Sequence, residues 1–209
     1  MKSKSQSYED LDTIRKIMEK STRFLSLSGL SGVFAGLIAL AGSAVAFFLI
    51  FKGHIRNEYF SGLSSGELNI IRFSLILDAI IVLTLAIAIS LYFSYRKALR
   101  QGSGIWTPVS RRLLLSMFVP LATGGILIII MYTENLFQFI IPSMLIFYGL
   151  ALVSAEKFTF SEIFYLGLFE IVLGLIAALI PEFGIFIWAV GFGFLHIIYG
   201  LVMYRKYER

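Results

Sequence analysis

Residues 163–204 read IFYLGLFEIVLGLIAALIPEFGIFIWAVGFGFLHIIYGLVMY. They form two apolar runs, 163–181 and 183–204, parted at Pro181-Glu182, where a proline ends one helix and a carboxylate asks for water. Each run has about the 20 residues that a helix rising about 1.5 Å per residue needs to cross a bilayer. Neither shows a polar face that solvent could wet, so the stretch reads as a helical hairpin through a membrane. Glu170 and His196 are the ionisable residues within it, apart from Glu182 at the turn.

Four more runs of the same kind precede the hairpin, at 27–51, 73–95, 113–133 and 136–155. Thr133-Glu134-Asn135 makes another tight turn, while Gln101-Gly102-Ser103-Gly104 and Thr107-Pro108 interrupt the chain between the second and third runs. Pro120 and Pro142 fall inside the third and fourth runs, where a membrane helix tolerates a kink. The fold class is therefore all-α: a polytopic membrane protein with six transmembrane helices in one bundle. Residues 1–26 form a cytoplasmic N-terminal segment, 27–204 the six-span domain and 205–209 a cytoplasmic tail.

Composition agrees. Of 209 residues, 58% are hydrophobic and 15% charged, against roughly 45–50% and about 25% in soluble domains. The mean hydropathy is +0.85. A soluble enzyme of this size would lack the polar surface to cover itself, and a disordered chain would be far less apolar.

Orientation follows from the 18 Lys and Arg residues, because cytoplasmic loops hold their excess. Lys52, Arg56 and Arg72 fall on one side. All the rest fall on the other: Lys2, Lys4, Arg15, Lys16, Lys20, Arg23, Arg96, Lys97, Arg100, Arg111, Arg112, Lys157, Arg205, Lys206 and Arg209. Both termini are expected in the cytoplasm and the protein in the cell inner (plasma) membrane. Ala44-Val45-Ala46 has the form of a signal-cleavage site, but the apolar run continues past it to Phe51 and begins only after a long charged segment, so the first span is expected to be retained.

Ahead of that span, Leu11, Ile14, Ile17 and Met18 recur at helical spacing between about Tyr8 and Lys20. Glu9, Asp10 and Asp12 come first and Arg15, Lys16 and Lys20 last, the order the helix dipole favours. This segment is expected to be a short amphipathic helix, either lying on the cytoplasmic leaflet or packed as a solvated cap on the bundle.

Much chemistry is excluded. The chain has no Cys, which removes disulfides, thiolate metal sites and cysteine nucleophiles. His54 and Glu58 stand one helical turn apart, but two ligands do not make a zinc site. Gly102-Ser103-Gly104 lacks the lysine and strand-helix context of a phosphate cradle. Basic residues scattered between apolar runs do not form a nucleic-acid patch. No lysine within a span could carry a Schiff base, and no paired histidines could hold haem. No metal, cofactor or nucleic acid is expected. Trp106, Trp188, Tyr92, Tyr95, Tyr132 and Tyr204, near span ends, read as an aromatic belt.

Small residues mark where helices meet, because lipid-embedded helices associate through close packing. In span one, Ser28, Gly32 and Gly36 recur at intervals of four beside a second line of Ser31, Ala35, Ala39 and Ser43. This broad face suits a central place in the bundle or the seam of a homo-oligomer. The other partners expected are the lipid bilayer and a protein at the cytoplasmic face.

Ionisable groups inside a span are costly and usually face the protein interior. Asp78, Glu170 and His196 are the three. Glu170 lies eight residues from Glu162, and His196 eight before Tyr204, so both stand about 12 Å from the cytoplasmic end. Reflection about Phe183 carries Glu170 onto His196, and reflection about Thr159 carries it onto Tyr148. A phenol, a carboxyl and an imidazole thus fall in one layer. Gly167 and Gly174 flank Glu170, and Gly193 and Gly200 flank His196, at offsets of three before and four after, on each residue's own face. Asp78 lies nearer the outer leaflet with no evident partner. Burial opposes charge on Glu170 and His196 while their pairing favours it, so the two could exchange a proton near neutral pH. The same group could equally be polar glue that holds three helices in register.

The run Arg23-Phe24-Leu25-Ser26-Leu27-Ser28-Gly29-Leu30-Ser31-Gly32, with its basic lead-in, resembles a family of uncharacterised bacterial six-helix inner-membrane proteins. It covers at most the first fifth of the chain and implies no activity, ligand or functional residue. Three functions remain in order: a small-solute or proton-linked transporter or channel with a polar layer at Glu170 and His196, where Tyr148 and Asp78 are the further candidate binding or proton-linked residues; a membrane sensor or scaffold; and an intramembrane lipid-modifying enzyme. The last lacks a nucleophile and a metal set, and no catalytic residue is expected.

Overall fold

Long apolar runs can satisfy their own backbone groups away from water only as helices or closed barrels, and the computed structural model is helical. It describes residues 24, 27–51, 65–102 and 104–209, with no side-chain placement at 50, 51, 65 and 67. The helices are α1 (Gly29–Phe51), α2 (Ser65–Arg100), α3 (Pro108–Thr133), α4 (Ile140–Ala155), α5 (Glu162–Leu179), α6 (Gly184–Trp188) and α7 (His196–Tyr207), with a π-helix, Ala189–Leu195, joining the last two. No strand occurs among the described residues. The amphipathic segment from Tyr8 to Lys20 and the His54-Glu58 pair lie outside them.

Six stretches are long and apolar enough to cross a membrane: Gly29–Leu49, Leu68–Arg100, Pro108–Thr133, Phe137–Phe158, Glu162–Leu179 and Pro181–Tyr207. They are compatible with an integral membrane protein. The second departs most from its apolar run, because α2 continues into polar sequence at both ends; its 36 residues span about 54 Å. Near its start the Arg72 guanidinium lies over the Phe137 ring, 4.3 Å from the centroid. Pro142 makes no mid-helix kink. It is the third residue of α4, in the first turn, where a missing N–H costs little.

Local chemistry sets the helix limits. Thr107 caps α3 by accepting from the Ser110 N–H at 3.1 Å, while Ser110 Oγ accepts from the Thr107 N–H at 2.8 Å. Asn135 closes the following turn with φ of 59°, a conformation that asparagine tolerates better than most side chains. Pro181–Phe183 forms a 3-10 turn between α5 and α6.

Two glycine seams organise the packing. A Cβ on Gly149 would stand 2.6 Å from the Gly167 carbonyl oxygen, and one on Gly167 would stand 2.7 Å from that of Gly149, so α4 and α5 meet backbone to backbone. Gly32 and Gly36 do the same for α1, the first against Gly200 and the second against the Gly193 carbonyl. The small face of span one is thus filled by the sixth span of the same chain. A second side of α1 receives α2, where Gly42 faces Val82 and Asp78. Span one therefore links α2 to the bundle rather than occupying its centre, while α3 packs on the far side against α4. Apolar side chains cover the outward faces of α2 and α3, with Ile70, Phe73, Leu115 and Val119 all exposed.

The loops 104–107 and 156–161 and the C-terminus share one end of the bundle with Phe24, here called the basic end. The Phe24 N–H donates to the Phe158 carbonyl at 2.6 Å, and Thr159 Oγ1 donates to the Phe24 carbonyl at 2.9 Å. This fixes the Phe24 ring among Leu113, Leu152, Ala155, Ile163 and Leu166. Within 205–209, α7 runs to Tyr207 and Glu208 turns back onto the start of α1. Its Oε1 accepts from the Gly29 N–H at 2.6 Å and from Lys97 Nζ at 3.2 Å, while Oε2 accepts from Ser28 Oγ at 3.2 Å. A carboxylate at a helix N-terminus satisfies an N–H with no intrahelical partner and suits the dipole.

Candidate functional site

The buried residues of α5 are Ile163, Leu166, Gly167, Glu170, Gly174 and Ala177, a stripe at three-and-four spacing. Glu170 sits in the middle of it with no solvent exposure. Neither carboxyl oxygen has a hydrogen-bond partner. The nearest basic atom is His196 Nδ1, 3.5 Å from Oε1, too far for a good hydrogen bond.

His196 is delivered by the π-helix. Its Nδ1 lies 3.0 Å from the carbonyl oxygen of Gly191, five residues earlier. A carbonyl only accepts, so Nδ1 carries the hydrogen and donates it there. In the neutral ring Nε2 is then the acceptor, and the Tyr148 hydroxyl, 2.8 Å away, donates to it. The tautomer is fixed from both sides, and both hydrogens are spent on atoms other than the Glu170 carboxyl.

Aromatic rings close the layer toward the end opposite the basic one. Phe192 stacks on the His196 ring with centroids 5.9 Å apart and lies 4.9 Å from that of Tyr148; Trp188 follows 5.2 Å from Phe192. Beyond them Leu145, Ala177 and Ile187 form a buried apolar cluster. The polar group has an apolar plug on one side.

The structure brings Tyr148, Glu170 and His196 together from α4, α5 and α7. Asp78 does not join them: it is half-buried on α2, with its carboxylate facing Gly42 of α1. The flanking glycines do other work than opening space around the polar residues. Gly167 and Gly174 admit α4, meeting Gly149 and Val153 in one case and Pro142 and Ile146 in the other; Gly193 and Gly200 admit α1, meeting Leu40 and Val33. The glycine that makes room for the carboxyl is Gly191, where a Cβ would lie 2.6 Å from Glu170 Oε2.

Sequence reasoning missed Gly191, Phe192 and Tyr199. Tyr199 stands one turn beyond His196, its hydroxyl buried without a partner and its ring packed against the same cluster as that of Tyr148. The available signal was Gly191-Phe192-Gly193, two helix-weakening residues within three just before an intramembrane histidine. Among the described residues no three His, Asp or Glu side chains are grouped to hold a metal.

Comparison of the chain with protein-family models, curated proteins and solved structures gives no match.

Proposed function

We propose that the protein is a multi-pass inner-membrane protein with both termini in the cytoplasm, and that it is a small-solute or proton-linked transporter or channel that takes up and releases protons at Glu170. The lipid bilayer covers the apolar outer faces of α2 and α3. One observation carries the reading: a fully buried carboxyl whose two oxygens lack partners, beside an imidazole whose one N–H is committed to the Gly191 carbonyl. Buried polar groups are nearly always satisfied, and polar glue would have turned the His196 donor onto the carboxyl. A site that binds a proton reversibly needs an acceptor left free.

The test is proton movement into liposomes holding the purified protein, driven by a potassium diffusion potential and followed with a trapped pH dye. It is repeated with small amino acids, sugars and monovalent cations outside. Wild-type vesicles are expected to acidify faster than protein-free ones under at least one condition, and Glu170→Gln vesicles to match the protein-free rate. Wild-type vesicles that never exceed protein-free ones, or an unaltered Glu170→Gln rate, would leave the layer as polar glue.

A further inference from the structure

The buried side-chain oxygens without partners are Glu162 Oε2, both oxygens of Glu170, and Tyr199 Oη. Among the described residues these are all such atoms, and all four lie on one seam. On α5, Glu162, Leu166 and Glu170 recur every four residues; on α7, His196, Tyr199, Met203 and Tyr207 recur at three and four. Such spacings put each set on one helix face. The two faces meet at both ends. At the inner end Glu170 lies beside His196; at the basic end the Tyr207 hydroxyl donates to Glu162 Oε1 at 2.9 Å and Lys206 Nζ bonds the same oxygen. Glu162 and Glu170 are about 12 Å apart along α5, and Tyr199 stands about 4.5 Å beyond His196 along α7 toward the basic end.

A buried oxygen left unpaired destabilises the fold. Scattered through a protein, such atoms would mean little. Concentrated on one seam that starts at an exposed ion pair and stops at an apolar plug, they describe a route with one open end. We propose that this seam is a one-sided proton path from the basic end to Glu170, with water held along it, Glu162 at its mouth and Tyr199 as the relay between. Tyr199 accepts a proton on its oxygen from water on the Glu162 side and passes its own hydroxyl hydrogen toward Glu170. The Glu170 carboxylate ends as a carboxylic acid, and the phenol is restored. The groups that face this route are Lys206 and Tyr207 at Glu162, Tyr148 near Tyr199, and His196 at Glu170. In this conformation Leu145, Ala177, Ile187 and Phe192 bar passage from the other end, so release on that side requires the plug to open.

The proposal rests on Glu170 as the proton acceptor, and the experiment separates the two. Full-length protein is reconstituted into liposomes and sorted by whether a C-terminal tag is open to external protease. The infrared band of the protonated carboxyl is followed after an external pH drop, with Glu170→Gln identifying the band. Vesicles with the basic end outward are expected to show a fast rise, and those with it inward a slow one. Tyr199→Phe removes an oxygen that bonds to no protein atom, so the fold should keep its melting temperature. The rise should slow by about a hundredfold, the low end of what a positioned proton donor contributes, and reach the same final amplitude. Glu162→Gln should slow it as well. A wild-type rate in Tyr199→Phe, or equal rates from both sides, would overturn the path while leaving Glu170 as the acceptor. A band that responds from neither side would overturn the acceptor itself.

Discussion

Glu170 Oε1 and His196 Nδ1 lie 3.5 Å apart, yet the hydrogen on that nitrogen points to the carbonyl of Gly191 at 3.0 Å. The two residues are neighbours in space and strangers in hydrogen bonding. This separates the requirements of folding from those of proton exchange at one position, which substitution can exploit.

Glu170→Gln keeps the shape and deletes the titrating group. Because the fold draws no hydrogen bond from the carboxyl, the variant should unfold within about 1 kcal/mol of wild type while losing proton uptake. Thermal unfolding in detergent, set beside the liposome assay, measures both.

Tyr148→Phe should behave in the opposite sense. It takes away the donor to His196 Nε2 and leaves a buried acceptor unpaired, at a cost of about 1–3 kcal/mol. A melting temperature equal to that of wild type would show that the 2.8 Å bond contributes nothing to the fold.

The glycines divide into those with room and those without. Gly36→Ala would drive a Cβ to 2.6 Å from the Gly193 carbonyl, and Gly191→Ala would place one 2.6 Å from Glu170 Oε2 and 2.8 Å from Leu145. Each should lower stability by about 1–3 kcal/mol, as overpacking does. Gly125 has no atom within 4 Å of the same position, so Gly125→Ala should be neutral or gain up to about 1 kcal/mol of helix propensity. Parallel melts of the three variants decide the matter.

Glu208 ties the start of α1 to the end of α7. Glu208→Ala should cost about 1–3 kcal/mol by stranding the Gly29 N–H. Lys97→Ala should add to it incompletely, because the 3.2 Å bond between the two is already lost, while the bond that Lys97 donates to the Leu27 carbonyl at 2.7 Å is lost only with Lys97. A double-mutant cycle in detergent reads the shared part. Full additivity would mean that Lys97 and Glu208 act independently.

For orientation, a reporter active only outside the cytoplasm should be silent when fused after Arg209 and active when placed within 134–135.

Depth was legible in the sequence because it depends on counting alone. Pro181-Glu182 and Thr159 mark the turns, and from them Tyr148, Glu170 and His196 fall at one level whatever the rotation of each helix. Rotation was not legible. The rule that flanking glycines share a polar residue's face assumes an unbroken α-helix and says nothing of which neighbour fills the space. Gly167 and Gly174 turned out to seat α4, and Gly193 and Gly200 to seat α1. The seven-residue π-helix has no fixed sequence signature, so Gly191 could not be picked out from Gly193. Asp78 stood apart for the same reason: its place against Gly42 depends on how α2 leans on α1, which no count of residues contains.

That π-helix makes the site depend on hydrogen-bond register as well as on side chains. A π turn holds one residue more than the α turn it replaces, so if 189–195 reverted to continuous α-helix with no residue removed, one residue would be left over. Everything beyond it would swing by about 100°, carrying the His196 imidazole off Glu170 and the Gly200 notch off α1 in one step. No single side-chain substitution undoes both contacts at once. Whatever the layer does, a change of hydrogen-bond register within 189–195 can switch it off while leaving a span still apolar enough to insert.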